Sequence, residues 1–143
     1  GGARRLHGAM KQTLKKDLSF SKSLVVDESR CISFMGEEGM VYATPRMVSD
    51  VEYACRDFLL QHLDAGEDSV GAHVSIDHLA ATPMGLKVTI EGRVEEVDRR
   101  KVVFAFAVKD PIEEVGRGKH IHFAVETAKT FDRLKAKRAK AGV

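Results

Sequence analysis

The 143-residue chain has no tryptophan, only three prolines and only two cysteines. It also lacks any apolar run approaching the ~18 residues of a membrane-spanning helix. No apolar stretch near the N-terminus reads as a secretory signal, so a cytoplasmic location is expected. Cys31 and Cys55 stand far apart without Cys-x-x-Cys spacing, which excludes a disulfide framework and a zinc knuckle; both are expected to be reduced. Neither a Gly-rich phosphate-binding loop nor a nucleophile-elbow serine motif occurs.

What is present is unevenly distributed. The formal net charge is +2, yet residues 1–16 hold five basic side chains and no acid, and residues 129–143 hold six basic and one acidic. The 112 residues between carry 12 Lys/Arg against 20 Asp/Glu, so an acidic body lies between two basic ends. Residues 1–9 precede the first methionine, Met10, and are read either as an added extension or as native chain. The expected division is an N-terminal extension over 1–16, one domain over 17–128, and a basic C-terminal helix over 129–143. The basic ends lack the interleaved aromatics that nucleic-acid binding uses, so neither nucleic acid nor membrane is expected as a partner.

Periodicity then divides the body into elements. Leu18–Val26 reads as a strand and Arg30–Gly39 as a loop that covers something. Thr44-Pro45 is a helix start, with threonine as the cap and proline pre-set for the first helical position. The helix is expected to run to Leu63 or Asp64, with Met47, Val48, Val51, Ala54, Cys55, Phe58, Leu59, His62 and Leu63 on one apolar arc. Strict alternation over Val70–Ala80 puts Val70, Ala72, Val74, Ile76 and His78 on one strand face. After the Thr82-Pro83-Met84-Gly85 turn come a strand over Leu86–Glu95, a two-sided apolar strand over Val102–Val108, and a last strand over Val115–Thr127. In that last strand Gly116 and Gly118 suggest a bulge or a close backbone approach. One long helix followed by successive antiparallel strands is an α+β fold with the helix against a curved sheet.

Five positions invite chemistry. Glu52 projects into the flank of the apolar arc, where a carboxylate either reaches to solvent from the edge or is held for proton transfer or nucleophilic attack. His78 lies among small residues, Ala80 and Ala81, and reads as a satisfied core histidine or as a general base; a Glu52/His78 pair is one arrangement that this spacing permits. Thr44 is explained as a cap, and equally as a hydroxyl at a positive helix terminus. His120 and His122 form an i, i+2 pair without a third ligand at a diagnostic spacing, so no metal is expected.

The segments YATPRMVSDVEYAC (Tyr42–Cys55), LDAGEDSVG (Leu63–Gly71) and DHLAATPMG (Asp77–Gly85) together resemble the hotdog-fold acyl-CoA thioesterases of the fluoroacetyl-CoA thioesterase type. The likeness spans roughly Leu18 to Phe131. It implies a hotdog fold, one long helix wrapped by a curved antiparallel sheet, and a homodimer with active sites at the interface. It also implies a catalytic group of Thr44, Glu52 and His78, in which Glu52 serves as nucleophile or base and His78 handles protons, with Gly71 lining the site. His122, where the family tends to carry arginine, is a substrate-binding candidate, and the Arg30–Gly39 loop departs from the family pattern. The implied reaction is hydrolysis of a small acyl-CoA to carboxylic acid and free coenzyme A, with no cofactor and no metal. The C-terminal lysines and arginines suit the phosphates of coenzyme A. The competing reading is a non-catalytic hotdog protein that binds acyl-CoA or a related ligand.

Overall fold

A computed structural model describes the backbone of residues 5–6 and 10–143; the rest of the expected N-terminal extension lies outside the described residues. Two short strands, β1 (Arg5–Leu6) and β2 (Met10–Lys11), pair antiparallel. From Lys11 onward the segment packs on the body: Lys11 N donates to the His62 carbonyl and Leu14 is buried in the core.

The body has one long helix, α1 (Thr44–Leu60), against a five-stranded antiparallel sheet. The strands are β3 (Ser19–Val25), β4 (Glu67–His78), β5 (Lys87–Asp98), β6 (Lys101–Lys109) and β7 (Glu114–Glu126), in the order β3-β5-β6-β7-β4. The two-sided apolar strand β6 is therefore central, as its composition requires, and β3 and β4 are the edges. Met47, Val51, Ala54, Cys55, Phe58 and Leu59 of α1 bury against Val88, Ile90 and Val94 of β5 and Val102, Phe104 and Phe106 of β6. Phe20 stacks on Phe58 at 4.9 Å, and Phe104 meets both rings edge-on. Each such side chain contributes on the order of 1.5–3 kcal/mol on burial. A final helix, α2 (Thr127–Ala141), buries no residue and exposes Phe131 and Leu134.

Three details differ from the sequence reading. Helix α1 stops at Leu60, and Gln61, His62 and Leu63 continue in i→i+3 bonds, the tightened last turn by which a helix end meets its orphan carbonyls. The cap position belongs to Ala43; the Thr44 hydroxyl caps nothing and turns to another partner. Alternation along β4 is broken by a bulge: Gly71 pairs with His122 and His73 with Ile121, leaving Ala72 unpaired. The odd-numbered Ser69 and Gly71 therefore face inward before the bulge, Ile76 and His78 after it, and Val70 is left exposed. Gly116 and Gly118 do mark close approaches: a Cβ would collide with Met47 Sδ at the first and with the Ser75 carbonyl at the second.

Candidate active site

Two constellations of polar side chains lie along α1. At its N-terminal end Thr44 Oγ1 and His78 Nδ1 are hydrogen-bonded at 2.6 Å. Sheet and helix make this contact together, since His78 ends β4 and Thr44 opens α1. Burial lowers the His78 pKa, opposed by a backbone hydrogen bond to Ala80, so the imidazole is held neutral and able to exchange a proton. The pair opens on a cavity of about 480 Å³ lined by Ile32, Phe34, Val41, Leu79, Ala80 and Ala81. Phe34 is 81% exposed at its rim.

The surrounding loop is clamped in place. The Tyr42 hydroxyl donates to Asp50 Oδ2 at 2.5 Å and Arg30 Nε donates to the same oxygen at 3.0 Å. Arg30 also donates to Asp27, while Tyr42 N donates to the Thr82 carbonyl. The loop after β3, the first turns of α1 and the turn after β4 are thus tied around the Thr44–His78 pair.

The second constellation is centred on Glu52. Its side chain is 48% exposed and lies over Gly71, where any Cβ would collide with Oε1. Glu52 is therefore an edge carboxylate, not one sunk in the apolar arc. Its Oε1 lies 3.8 Å from His120 Nε2, and His120 is 2% exposed. The His120 ring packs on His122 at 4.5 Å between centroids, and His122 Nδ1 is hydrogen-bonded to Ser69 Oγ at 2.8 Å. Burial pushes the His122 pKa down to about 3, with His120 adding to the effect, and burial likewise lowers His120 against the pull of Glu52. Beside them Glu52, Tyr53, Arg56, Ser69, Val70 and Gly71 line a hollow of about 590 Å³, framed by the two-pronged Arg56–Asp68 ion pair at 2.9 Å.

Within one chain, then, Thr44 and His78 meet, while the neighbour of Glu52 is His120 and not His78. His122 lies behind the site and lines neither hollow: its ring is fully buried and bonded to Ser69. Sequence reasoning missed His120 as the neighbour of Glu52, although the shared strand face of His120 and His122 was the signal. Among the described residues no three His, Cys, Asp or Glu side chains gather as a metal-binding group. A further hollow of about 690 Å³ lies away from both constellations against β3, β5 and β6, between Phe20, Glu91, Arg93 and Phe106.

Comparison with known proteins gives the family and the fold. Residues 26–128 match the family described as fluoroacetyl-CoA-specific thioesterase, FlK. A fluoroacetyl-CoA thioesterase of Streptantibioticus cattleyicolor is 32% identical over 97 residues, covering 68% of this chain and 70% of that protein. The solved structure of the fluoroacetyl-CoA thioesterase FlK superposes with a TM-score of 0.79 at 27% identity, over 87% of this chain and 97% of that one. A hot-dog-like protein from Thermanaerovibrio acidaminovorans shares the fold at 20% identity, with a TM-score of 0.78 over 85% of this chain and 91% of its own.

Proposed function

The chain belongs to the fluoroacetyl-CoA-specific thioesterase family, and from that membership we propose that it hydrolyses a small acyl-coenzyme A to a carboxylic acid and free coenzyme A. The observation that carries the reading is the Thr44 Oγ1–His78 Nδ1 contact of 2.6 Å at the mouth of an apolar cavity. A thioester carbonyl there has an apolar recess for its acyl group and a neutral imidazole, oriented by a hydroxyl, beside the sulfur. Water adds its oxygen to the carbonyl carbon, the C–S bond breaks, and the neutral His78 imidazole relays to the departing thiolate a proton released by the water. Glu52 acts either as the base that takes a proton from water or as the nucleophile that forms a mixed anhydride, which water then opens. Coenzyme A enters as part of the substrate, and the residues named require no metal or further cofactor.

The active particle is a homodimer. Eight helical residues separate Thr44 from Glu52, about 12 Å at ~1.5 Å per residue. Along β4, Gly71 and His78 stand roughly 20 Å apart at ~3.3 Å per residue. One chain therefore does not bring the carboxylate and the imidazole to one carbonyl. Strand β4 is an unpaired edge with Val70 and Val74 exposed. Two-fold antiparallel pairing of that edge with a second copy sets the Gly71 end of one strand beside the His78 end of the other. Both cysteines are free, which suits a reducing, cytoplasmic setting, and no helix among the described residues is long and apolar enough to cross a membrane.

The acyl recess favours an uncharged group, because the side chains beyond Thr44 and His78 are apolar apart from the Tyr42 hydroxyl, which is committed to Asp50. Release of free thiol from a panel of acyl-CoA esters, including fluorinated and aryl members, tests the assignment. Glu52→Ala and His78→Ala are expected to abolish most of the release. Rates equal to those of the native protein would leave only acyl-CoA binding as the role.

A further inference from the structure

We propose that His120, braced by His122 and Ser69, is a positioning residue that holds the Glu52 carboxylate in its reactive orientation over Gly71. The inference rests on the reading of Glu52 as the reactive carboxylate.

Glu52 belongs to a helix face that opens to solvent, and an unrestrained glutamate there samples several rotamers. Opposite it β4 offers only Gly71, which leaves room for the carboxylate but no group to hold it. The imidazole of His120 closes that space from below. Its Cε1 would stand 3.1 Å from a Cβ on Gly71, and its Nε2 faces Glu52 Oε1 at 3.8 Å. That separation is beyond hydrogen-bond reach, and the half-exposed glutamate has the torsional freedom to shorten it. Catalytic hydrogen bonds are commonly long before substrate binds.

The ring itself has no such freedom. It is 2% exposed and packed on His122, which is in turn held by Ser69 on the neighbouring strand. Neither nitrogen of His120 makes a hydrogen bond of good geometry, although the Ile121 backbone acts on the ring and favours its charged form. A buried N–H without a partner is unfavourable, so an available carboxylate is its natural acceptor. Cys55 and Arg56 on α1, Asp68 and His73 on β4, and His122 on β7 are the other titratable groups around the pair. Arg56 is already engaged by Asp68 through two bonds. Burial keeps both histidines neutral near pH 7, and a neutral donor orients a carboxylate without cancelling the negative charge that attack or proton abstraction needs.

The test compares His120→Gln, which restores an N–H donor, with His120→Met, of similar length but without a donor, and with Glu52→Gln as reference. Thiol release is followed on the fastest member of a C2–C8 acyl-CoA panel. His120→Met is expected to lower kcat roughly 10- to 100-fold with KM within about threefold, and His120→Gln to recover most of that loss. A donor-independent structural role would instead lower both variants together. If Glu52→Gln keeps the native kcat, the reading of Glu52 itself falls. If Glu52→Gln is inactive while His120→Met turns over as the native protein does, or while His120→Gln falls as far as His120→Met, the positioning role alone is overturned. A measurement that leaves position 120 intact covers variants that fail to fold: the ¹⁵N resonances of the His120 ring should report an Nε2–H tautomer that shifts in Glu52→Gln, and an unmoved spectrum refutes the contact.

Discussion

Replacing Gly71 by alanine isolates the carboxylate end of the site. Gly71 is not among the positive-φ residues, so its backbone accepts a side chain, and the added methyl meets the Glu52 carboxylate, at Oε1 and at Cδ (3.2 Å), and His120 Cε1 at 3.1 Å. The histidine is wedged and does not yield, whereas the glutamate is 48% exposed and swings outward. The fold therefore absorbs the substitution by moving the carboxylate that the proposed reaction uses. A displacement of about 1 Å in a reacting group is enough to lower turnover on the order of 100-fold, or about 2.7 kcal/mol in the barrier. Stability should change by no more than about 1 kcal/mol, because the lost Glu52 placement is offset by the lower unfolded-state entropy of alanine. Thiol-release kinetics and a thermal melt on the same preparation read the two effects separately. A Gly71→Ala protein with native kcat would refute the placement of Glu52 over Gly71 as the working geometry. A collapse in melting temperature would show that Glu52 is not free to swing.

Three further outcomes follow from the geometry. Thr44→Ala should lower kcat by roughly tenfold through loss of the His78 contact. It should also cost less than the ~1 kcal/mol typical of a lost helix cap, as urea unfolding would show, because the hydroxyl caps nothing. Folding holds His62, His78, His120 and His122 below their ordinary pKa, so in acid the unfolded chain takes up more protons than the native one. Stability is then full above about pH 6.5 and falls as the pH drops, by up to about 1.4 kcal/mol per pH unit for each such histidine until its own folded-state pKa is passed, which for His122 is about 3. A urea midpoint unchanged between pH 7 and pH 5 would contradict this, and His122→Phe should flatten the slope. Mixing inactive Glu52→Ala and His78→Ala proteins should restore about a quarter of native activity if each site takes its carboxylate from one chain and its imidazole from the other. No recovery after subunit exchange would mean that both groups come from one chain.

Much of the architecture was legible in the sequence because it is written in local periods. The 3.6-residue arc from Met47 to Leu59 and the two-sided apolar run of β6 each follow from where a side chain must point in a helix or a strand. Likewise Pro83-Met84-Gly85 announced its turn, with Gly85 at φ 96°. The candidate residues Thr44, Glu52, Gly71 and His78 were also readable, through segments that resemble a thioesterase family to which the chain does belong.

What the sequence could not determine is which of these residues meet. Strict alternation from Val70 to Ala80 hides the bulge at Ala72, because an unpaired residue shows only once the partner strand is in register. Thr44 looks like a cap until β4 carries His78 to it from 34 positions away. Glu52 and His120 lie 68 positions apart, and they become neighbours because the sheet order sets β7 beside β4 beneath α1. Local composition determines the shape of each element, since hydrogen-bond geometry and burial act over a few residues. Which carboxylate faces which imidazole is decided by packing across the whole chain, and only the tertiary structure carries that.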